Sequence, residues 1–459
     1  MSKTFVLVDR DTPFLLPPSL EEWLPADHLA RFIIEIVDQL DISRIESSYS
    51  GGGSAAYHPR MLLGLLFYSY ATGTFSSRRI EAASHDSIAT RYICVNQHPD
   101  HDTIATFRKR FLPELEALFV QILSIAHQMG LLKLGNISID GTKVHANASK
   151  HKALSWEHAC KLERQLEAEV ATLMQIAEQA EQSQQAEHIN VPEELSRRLS
   201  RLAAIRAAKQ AIEQRVAERD EQQQAEYQQK LDTRAATELA SGRKPRGKAP
   251  KPPQSGPKPN DQINLTDEQS RIMPISGGGF EQSYNAQAVV DVATHLIVAQ
   301  TVTQAANDKE QIQWALEDIA ALPEQLGTVA ALLGDNGYLS EDNVTAIDAA
   351  KITPLIALGR QPHNLPLEQR LQQSPPTSEA PGEDASAMIR MGYRLKTADG
   401  KALYAQRKST VEPVFGIIKH VLGFRQFLLR GYQAVTGEWT LVSLAWNLKR
   451  MKTLRLHAA

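Results

Sequence analysis

The hydrophobic rhythm of the chain changes several times. Between residues 15 and 130, apolar residues recur at helical spacing, as in "PADHLARFIIEIVDQL" and "PRMLLGLLFYSYATGTFS", and predict helices. "SYSGGGSAAYHP" lies between them as a loop. In "HPDHDTIATFRKRFLPELEALFVQIL", Asp102 or Thr103 is the expected N-cap of a helix carrying Arg108, Lys109 and Arg110. At 134–147, "LGNISIDGTKVHAN", the period shortens to two. Ile137 and Ile139 alternate with Ser138 and Asp140, so Asp140 faces away from the isoleucines, and Gly141 is expected to open a turn. Residues 152–240 return to helix. Leu166, Val170, Leu173, Ala177 and Ala180 form a coiled-coil seam, Pro192 breaks it, and Leu195, Leu199, Leu202 and Ile205 start a second helix. The two predict an antiparallel hairpin, pairing with itself or with a second subunit.

"GRKPRGKAPKPPQSGPKP" follows at 242–259, a Pro-rich basic tether expected to be extended and disordered. Strands then resume. "SYNAQAVVDV" and "HLIVAQTVTQ" predict a hairpin, and "GTVAALLGD" and "ITPLIALG" predict strands. "NDKEQIQWALEDIAAL" predicts a helix between them, and "SEDNVTAIDAAK" another, with Ser340 as its N-cap. Residues 361–400 read as loop. "ALYAQRKSTVEPVFGIIKHVLGFRQFLLRG" and "TGEWTLVSLAWNLKRMKTL" read as two closing helices. Three strands in a meander, then strands alternating with helices, give an α/β layer fold with a mixed sheet.

Composition adds bounds. At 42% hydrophobic and 22% charged, the 459 residues are those of a globular protein of more than one domain. No run of eighteen apolar residues suits a membrane span, and "MSKTFVLVDRDTPF" has acids where a secretory signal would be apolar. A cytoplasmic, nucleoid-associated location is the expectation. Cys94 and Cys160 are far apart and in no metal-ligand spacing. The net charge of −3 hides an asymmetry: from residue 401 onward ten Lys/Arg face only Glu412 and Glu438. A basic end suits a polyanion partner, although charge alone fits a solvated helix face at least as well.

Three acids stand where the pattern reads as core or basic surface: Asp140 in the first strand, Asp335 ending a later strand, and Glu412 in a late helix. Burying a carboxylate is costly unless it is paired or holds a metal. Converging carboxylates suit Mg²⁺ or Mn²⁺, and two such ions suit phosphoryl transfer. Taken singly, each acid is equally well explained as turn chemistry, as in Asp-Gly and Asp-Asn-Gly.

"SIDGTKVHANASKHK", "YNAQAVVDV", "GDNGYLSEDN" and "VEPVFGIIKHVLGFRQFLLRG" together resemble the DDE transposases of bacterial insertion sequences. "YHPRMLLGLLFYSYATGTFSSRRIEAA" and "PDHDTIATFRKRF" are similar to the helical N-terminal domain of the same enzymes. The resemblance implies an RNase H-like fold of the retroviral integrase superfamily. It implies a helical DNA-binding domain over 1–130, the first part of the catalytic domain at 131–150, a coiled-coil insertion at 151–241, a linker at 242–262, and the rest of the catalytic domain at 263–459. Asp140, Asp335 and Glu412 match the triad that would hold two Mg²⁺, with Mn²⁺ an alternative. Tyr404, Arg407, Lys408 and Lys419 match the cations and tyrosine placed around the Glu. Arg407 lies one residue further from Glu412 than the family spacing has it, and Lys408 fills that slot. Arg425 and Arg108 complete the expected DNA contacts. The implied activity is binding of terminal inverted repeats, metal-dependent cleavage and strand transfer by a homodimer or higher oligomer. The alternatives are a nuclease without strand transfer and a non-catalytic DNA-binding descendant.

Overall fold

The computed structural model describes residues 19–49, 56–182, 191–243, 247–275, 278–359, 380–382 and 384–458. Among them run strands β1 (Leu134–His145), β2 (Ala153–Ser155), β3 (Gln262–Asn264), β4 (Arg271–Pro274), β5 (Phe280–Asp291), β6 (Ile297–Thr303), β7 (Gly327–Gly334) and β8 (Thr353–Ile356). The chain forms two compact units, Met1–Ala146 with Ser283–Ala459, and Asn147–Gln282.

In the first unit the strand order is β6, β5, β1, β7, β8. β5 runs antiparallel to both β1 and β6, while β7 lies parallel to β1 and β8 parallel to β7. The mixed α/β sheet flanked by helices is the predicted fold class. β5 is buried throughout its central length because helices and neighbouring strands cover it. The Tyr432–Ala458 helix packs across it, with Trp439 Nε1 donating to Gln287 O. On the edge strand β6, Asn447 accepts from the Ile297 N–H and donates to its carbonyl, which closes a stretch of edge to further pairing.

The helices before residue 130 belong to this same unit and meet the same C-terminal helix. The Pro59–Ala71 and His101–Phe111 helices meet it through a buried polar chain: Arg108 Nη1 donates to the Tyr70 hydroxyl, and that hydroxyl donates to Glu438 Oε1. Asp100, not Asp102 or Thr103, caps the His101–Phe111 helix, its Oδ1 accepting from Thr103 N. Asp100 has the extended backbone that lets a carboxylate fold back onto the first turn.

Two further expectations are corrected here. The long closing helix is interrupted: Ala398–Ala405 and Val411–Gly416 are helical, Ile417–Val421 widens to a π turn, and the chain then leaves the helix at Gly423. The end of β1 causes the exit, since His145 N donates to Arg425 O and Phe427 N donates to His145 O. Within the expected loop 361–400, Ala387–Arg394 and Ala398–Ala405 are helices capped by Ser386 and Thr397, while 360–379 lie outside the described residues.

In the second unit the Trp156–Gln182 and Val191–Ser241 helices run antiparallel, with Glu163 paired to Arg206 and Lys209, and Glu169 to Arg198. Leu166, Leu202, Ile205 and Ile212 are buried between them, whereas Leu199 of the expected seam is exposed. Pro192, expected to break the seam, lies in the first turn of the second helix, and the side chain of Ala180 and residues 183–190 lie outside the described residues. Part of the Pro-rich tether is held rather than loose: Arg219 bonds Asp261 and the Gly256 carbonyl, and Asp220 accepts from Gly256 N. Long side chains on a helix face have fixed backbone that composition alone marks as disordered.

Candidate active site

Register brings the first two acids together. Ser138 on β1 pairs with Leu333 on the parallel strand β7. Two residues further along stand Asp140 on β1 and Asp335 just past the end of β7, on the same face, because side chains repeat every second residue. Asp140 Oδ1 accepts from Gly141 N at 2.8 Å. Asp335 caps the short turn Asn336–Tyr338, its Oδ1 accepting from Gly337 N at 2.7 Å. Burial and then the neighbouring Asp335 push the Asp140 carboxyl up to about 7.

The third acid is joined to this pair by an arginine. Arg407 Nη2 is 3.0 Å from Glu412 Oε1, and its Nη1 is 3.9 Å from Asp140 Oδ2. The Arg407 side chain is 11% exposed and its Nε has no hydrogen-bond partner, whereas Glu412 is half exposed. Lys419 Nζ donates to Thr142 Oγ1 at 3.0 Å and to Lys143 O at 2.9 Å, and burial lowers its pKa. Lys419 sits in the π turn Ile417–Val421. Tyr404 is half-buried and donates to the Gly334 carbonyl, the residue before Asp335.

Gly141 does not open a turn. β1 continues through it to His145, opposite Gln287 and Asn285 of β5. A Cβ at this position would lie 2.2 Å from Gln287 Nε2, 2.7 Å from Asp308 Oδ1 and 2.8 Å from Asn285 Oδ1. The glycine is there because a packed polar group fills its side-chain space. Gly141→Ala is therefore expected to cost about 1–3 kcal/mol by overpacking. Urea unfolding measures that cost, and unchanged stability would refute the packing.

A family model described as "Transposase domain (DUF772)" matches residues 18–110, and one described as "Transposase DDE domain" matches residues 249–448. The two together span more than half of the chain. The chain belongs to the DDE-type transposases. Comparison with curated proteins and with solved structures gives no match. Asp335 and Glu412 fall within the DDE match, whereas Asp140 lies before it, on the far side of the helical insertion. Membership of this family implies DNA as the partner, and no helix among the described residues is long and apolar enough to cross a membrane.

Of the residues expected to meet DNA, Lys408 and Arg425 are exposed, and Arg425 also bonds Lys419 O and His420. Arg108 is buried, and its guanidinium bonds the Tyr70 hydroxyl and the Phe75 carbonyl. Much of the basic end is spent likewise: Lys449 donates to Ala71 O, Arg450 to Thr294 O, and Arg455 pairs with Glu35. Asp308, Asn285 and Gln287 were not legible as site residues. The available signal was two amides, "NAQAVV", inside an otherwise apolar central strand.

The donor set suits a hard divalent cation. It is all oxygen, Asp140 and Asp335 repel each other at close range, and a cationic group, Arg407, already stands between Asp140 and Glu412. Among the described residues no three His, Cys, Asp or Glu side chains are gathered into a metal cage, and Glu412 pairs with Arg407.

Proposed function

We propose that the transposase binds the terminal inverted repeats of its own insertion sequence, cleaves DNA at the element ends and transfers the freed strand to target DNA. The observation that carries this reading is the placement of Asp140 on β1 and Asp335 just past the end of the parallel strand β7, on the same face, with Glu412 one guanidinium away. Asp140 and Asp335 would hold Mg²⁺ or Mn²⁺, and Glu412 would join them on releasing Arg407. Such ions, when bound, activate the attacking oxygen and stabilise the leaving oxygen in an in-line phosphoryl transfer, the chemistry shared by hydrolysis and strand transfer.

The chain's own residues do the rest. Lys419, steadied by Thr142 and the Lys143 carbonyl, has an ammonium proton left for a phosphate beside Asp140. Arg407, once freed from Glu412, has a planar fork suited to a second phosphate, with Lys408 on the exposed side. Tyr404 sets the backbone just ahead of Asp335 and so its approach. Joining two ends calls for at least two copies. The hairpin of the second unit offers Met174, Ile176 and Leu199 as exposed apolar contacts for that assembly.

The test uses purified full-length protein and a plasmid carrying the gene's own flanks, in Mg²⁺ and in EDTA. End cleavage and joined products are expected only with the metal and are expected to vanish in Glu412→Ala. Cleavage without joining would replace the transposition chemistry with that of a nuclease. End binding without cleavage in Mg²⁺ or Mn²⁺ would refute the catalytic reading.

A further inference from the structure

A fourth carboxylate stands behind the catalytic pair. Asp308 lies on the loop between β6 and the Ile312–Ala320 helix, 23% exposed. Its Oδ1 accepts from Asn285 Nδ2 at 2.8 Å and from Gln287 Nε2 at 2.7 Å, and Lys143 Nζ stands 3.8 Å away. Asn285 and Gln287 are fully buried on β5. This is the polar group that fills the space above Gly141, the residue after Asp140.

The same group reaches the other catalytic turn. Gln287 Oε1 accepts from the hydroxyl of Tyr338, which is fully buried and ends the turn that Asp335 caps. Asp308 Oδ2 faces Gly337, lying 3.6 Å from where its Cβ would be, and the Gly337 N–H is the one that Asp335 binds. One carboxylate therefore governs both the Asp140–Gly141 segment and the Asp335–Tyr338 turn. Asn285 shows that the orientation is imposed. Its amide gives its protons to Asp308 and to the Ala305 carbonyl, leaving a buried Oδ1 without a partner. An orphaned buried acceptor costs about 1–3 kcal/mol, so a stronger partner must hold the amide this way round.

If hydrogen bonding were the whole purpose, a neutral acceptor would do. Asp308 instead carries a charge beside two carboxylates that already repel each other; Lys143 offsets it in the fold, and it adds to the negative field that a divalent cation would meet. We propose that Asp308 is a positioning residue of the catalytic centre: through Asn285, Gln287 and Tyr338 it fixes the two catalytic aspartates relative to each other, and its charge strengthens their hold on divalent cations. The proposal rests on the reading of Asp140 and Asp335 as catalytic carboxylates.

The test compares Asp308→Asn, Asp308→Glu and Asp335→Asn in the full-length chain. Mn²⁺ binding is read by calorimetry without DNA, beside thermal stability, end binding and cleavage. Asp308→Asn keeps an acceptor oxygen and is expected to melt and to bind DNA as wild type does. Its Mn²⁺ affinity is expected to fall by about tenfold, the usual effect of losing an outer-shell partner. Asp308→Glu is expected to recover part of that loss. Wild-type Mn²⁺ affinity in Asp308→Asn would overturn the proposal. So would early melting of Asp308→Asn, which would make Asp308 a residue of the fold alone. Asp335→Asn separates the two readings: cleavage surviving in it would mean that the catalytic assignment, not the role of Asp308, is at fault.

Discussion

Asp140→Asn is expected to abolish cleavage and, in the same protein, to raise stability at alkaline pH. The loss of activity should reach about 10³-fold or more, equivalent to about 4 kcal/mol of barrier. The gain in stability follows from the environment of Asp140. Burial, with Asp335 beside it, holds the folded carboxyl up to about 7. The unfolded chain returns it to about 3.9. Between those values the folded state keeps a proton that the unfolded state gives up. The contribution of this group is therefore intact in acid and is lost as pH rises through about 7. By pH 8 the loss approaches about 4 kcal/mol, an upper figure for a side chain that retains some solvent. Asparagine cannot ionise, yet its side-chain oxygen can still accept from Gly141 N. Thermal unfolding in EDTA at pH 5 and pH 8 checks the sign: the variant's advantage should be small at pH 5 and large at pH 8. An equal gap at both values, or a destabilised variant, would contradict the buried, mutually repelling pair. A residue whose neutral replacement stabilises the fold is kept for what its charge does.

Legibility in the sequence followed the range of the interaction that decides each feature. Asp140 and Asp335 could be found because alternation places a side chain on a strand face, and parallel register then does the pairing. Ser340 could be named as a cap because its partner, Asn343, is three residues away. Gly141 was misread because Asp-Gly is locally turn chemistry, whereas strand continuation is decided by pairing with β5. The helix expected from "NDKEQIQWALEDIAAL" begins only at Ile312, and the residues before it carry Asp308. Nothing local marks that acid, because its partners Asn285 and Gln287 lie on another strand. Arg407 outside the family spacing nevertheless reaches Asp140 and Glu412, while Lys408, in the expected slot, is exposed. A short 3₁₀ turn, Gln406–Ser409, rather than regular helix, sets which cation turns inward.

Glu438→Ala is expected to be among the most destabilising single substitutions in the transposase, although the residue touches no part of the catalytic centre. Glu438 is fully buried on the Tyr432–Ala458 helix. One oxygen accepts from the Tyr70 hydroxyl at 3.2 Å, and the other from the N–H groups of Leu428 and Leu429 at 2.9 and 3.0 Å. Tyr70 in turn accepts from Arg108, whose Nε has no partner and whose second contact is the Phe75 carbonyl. Burial pushes the Glu438 carboxyl up, and the Leu429 N–H and Arg108 pull it back down. Truncation would remove the carboxylate that the Leu428 and Leu429 N–H groups bond and leave a buried hydroxyl and the buried Arg108 charge uncompensated, and breaking such a pair from one side costs about 3–5 kcal/mol. Glu438→Gln keeps an acceptor in place and should cost less. Arg455→Ala, which removes a half-exposed ion pair with Glu35, should cost under about 1 kcal/mol. Urea unfolding of the three variants gives the ranking directly. The segment that Glu438 holds at Leu428 and Leu429 follows Arg425 and the β1 contact at Phe427. Loosening it should therefore also weaken end binding in folded Glu438→Gln. A Glu438→Ala protein as stable as wild type would mean that the buried chain from Arg108 to Glu438 contributes nothing to joining the N-terminal helices to the sheet.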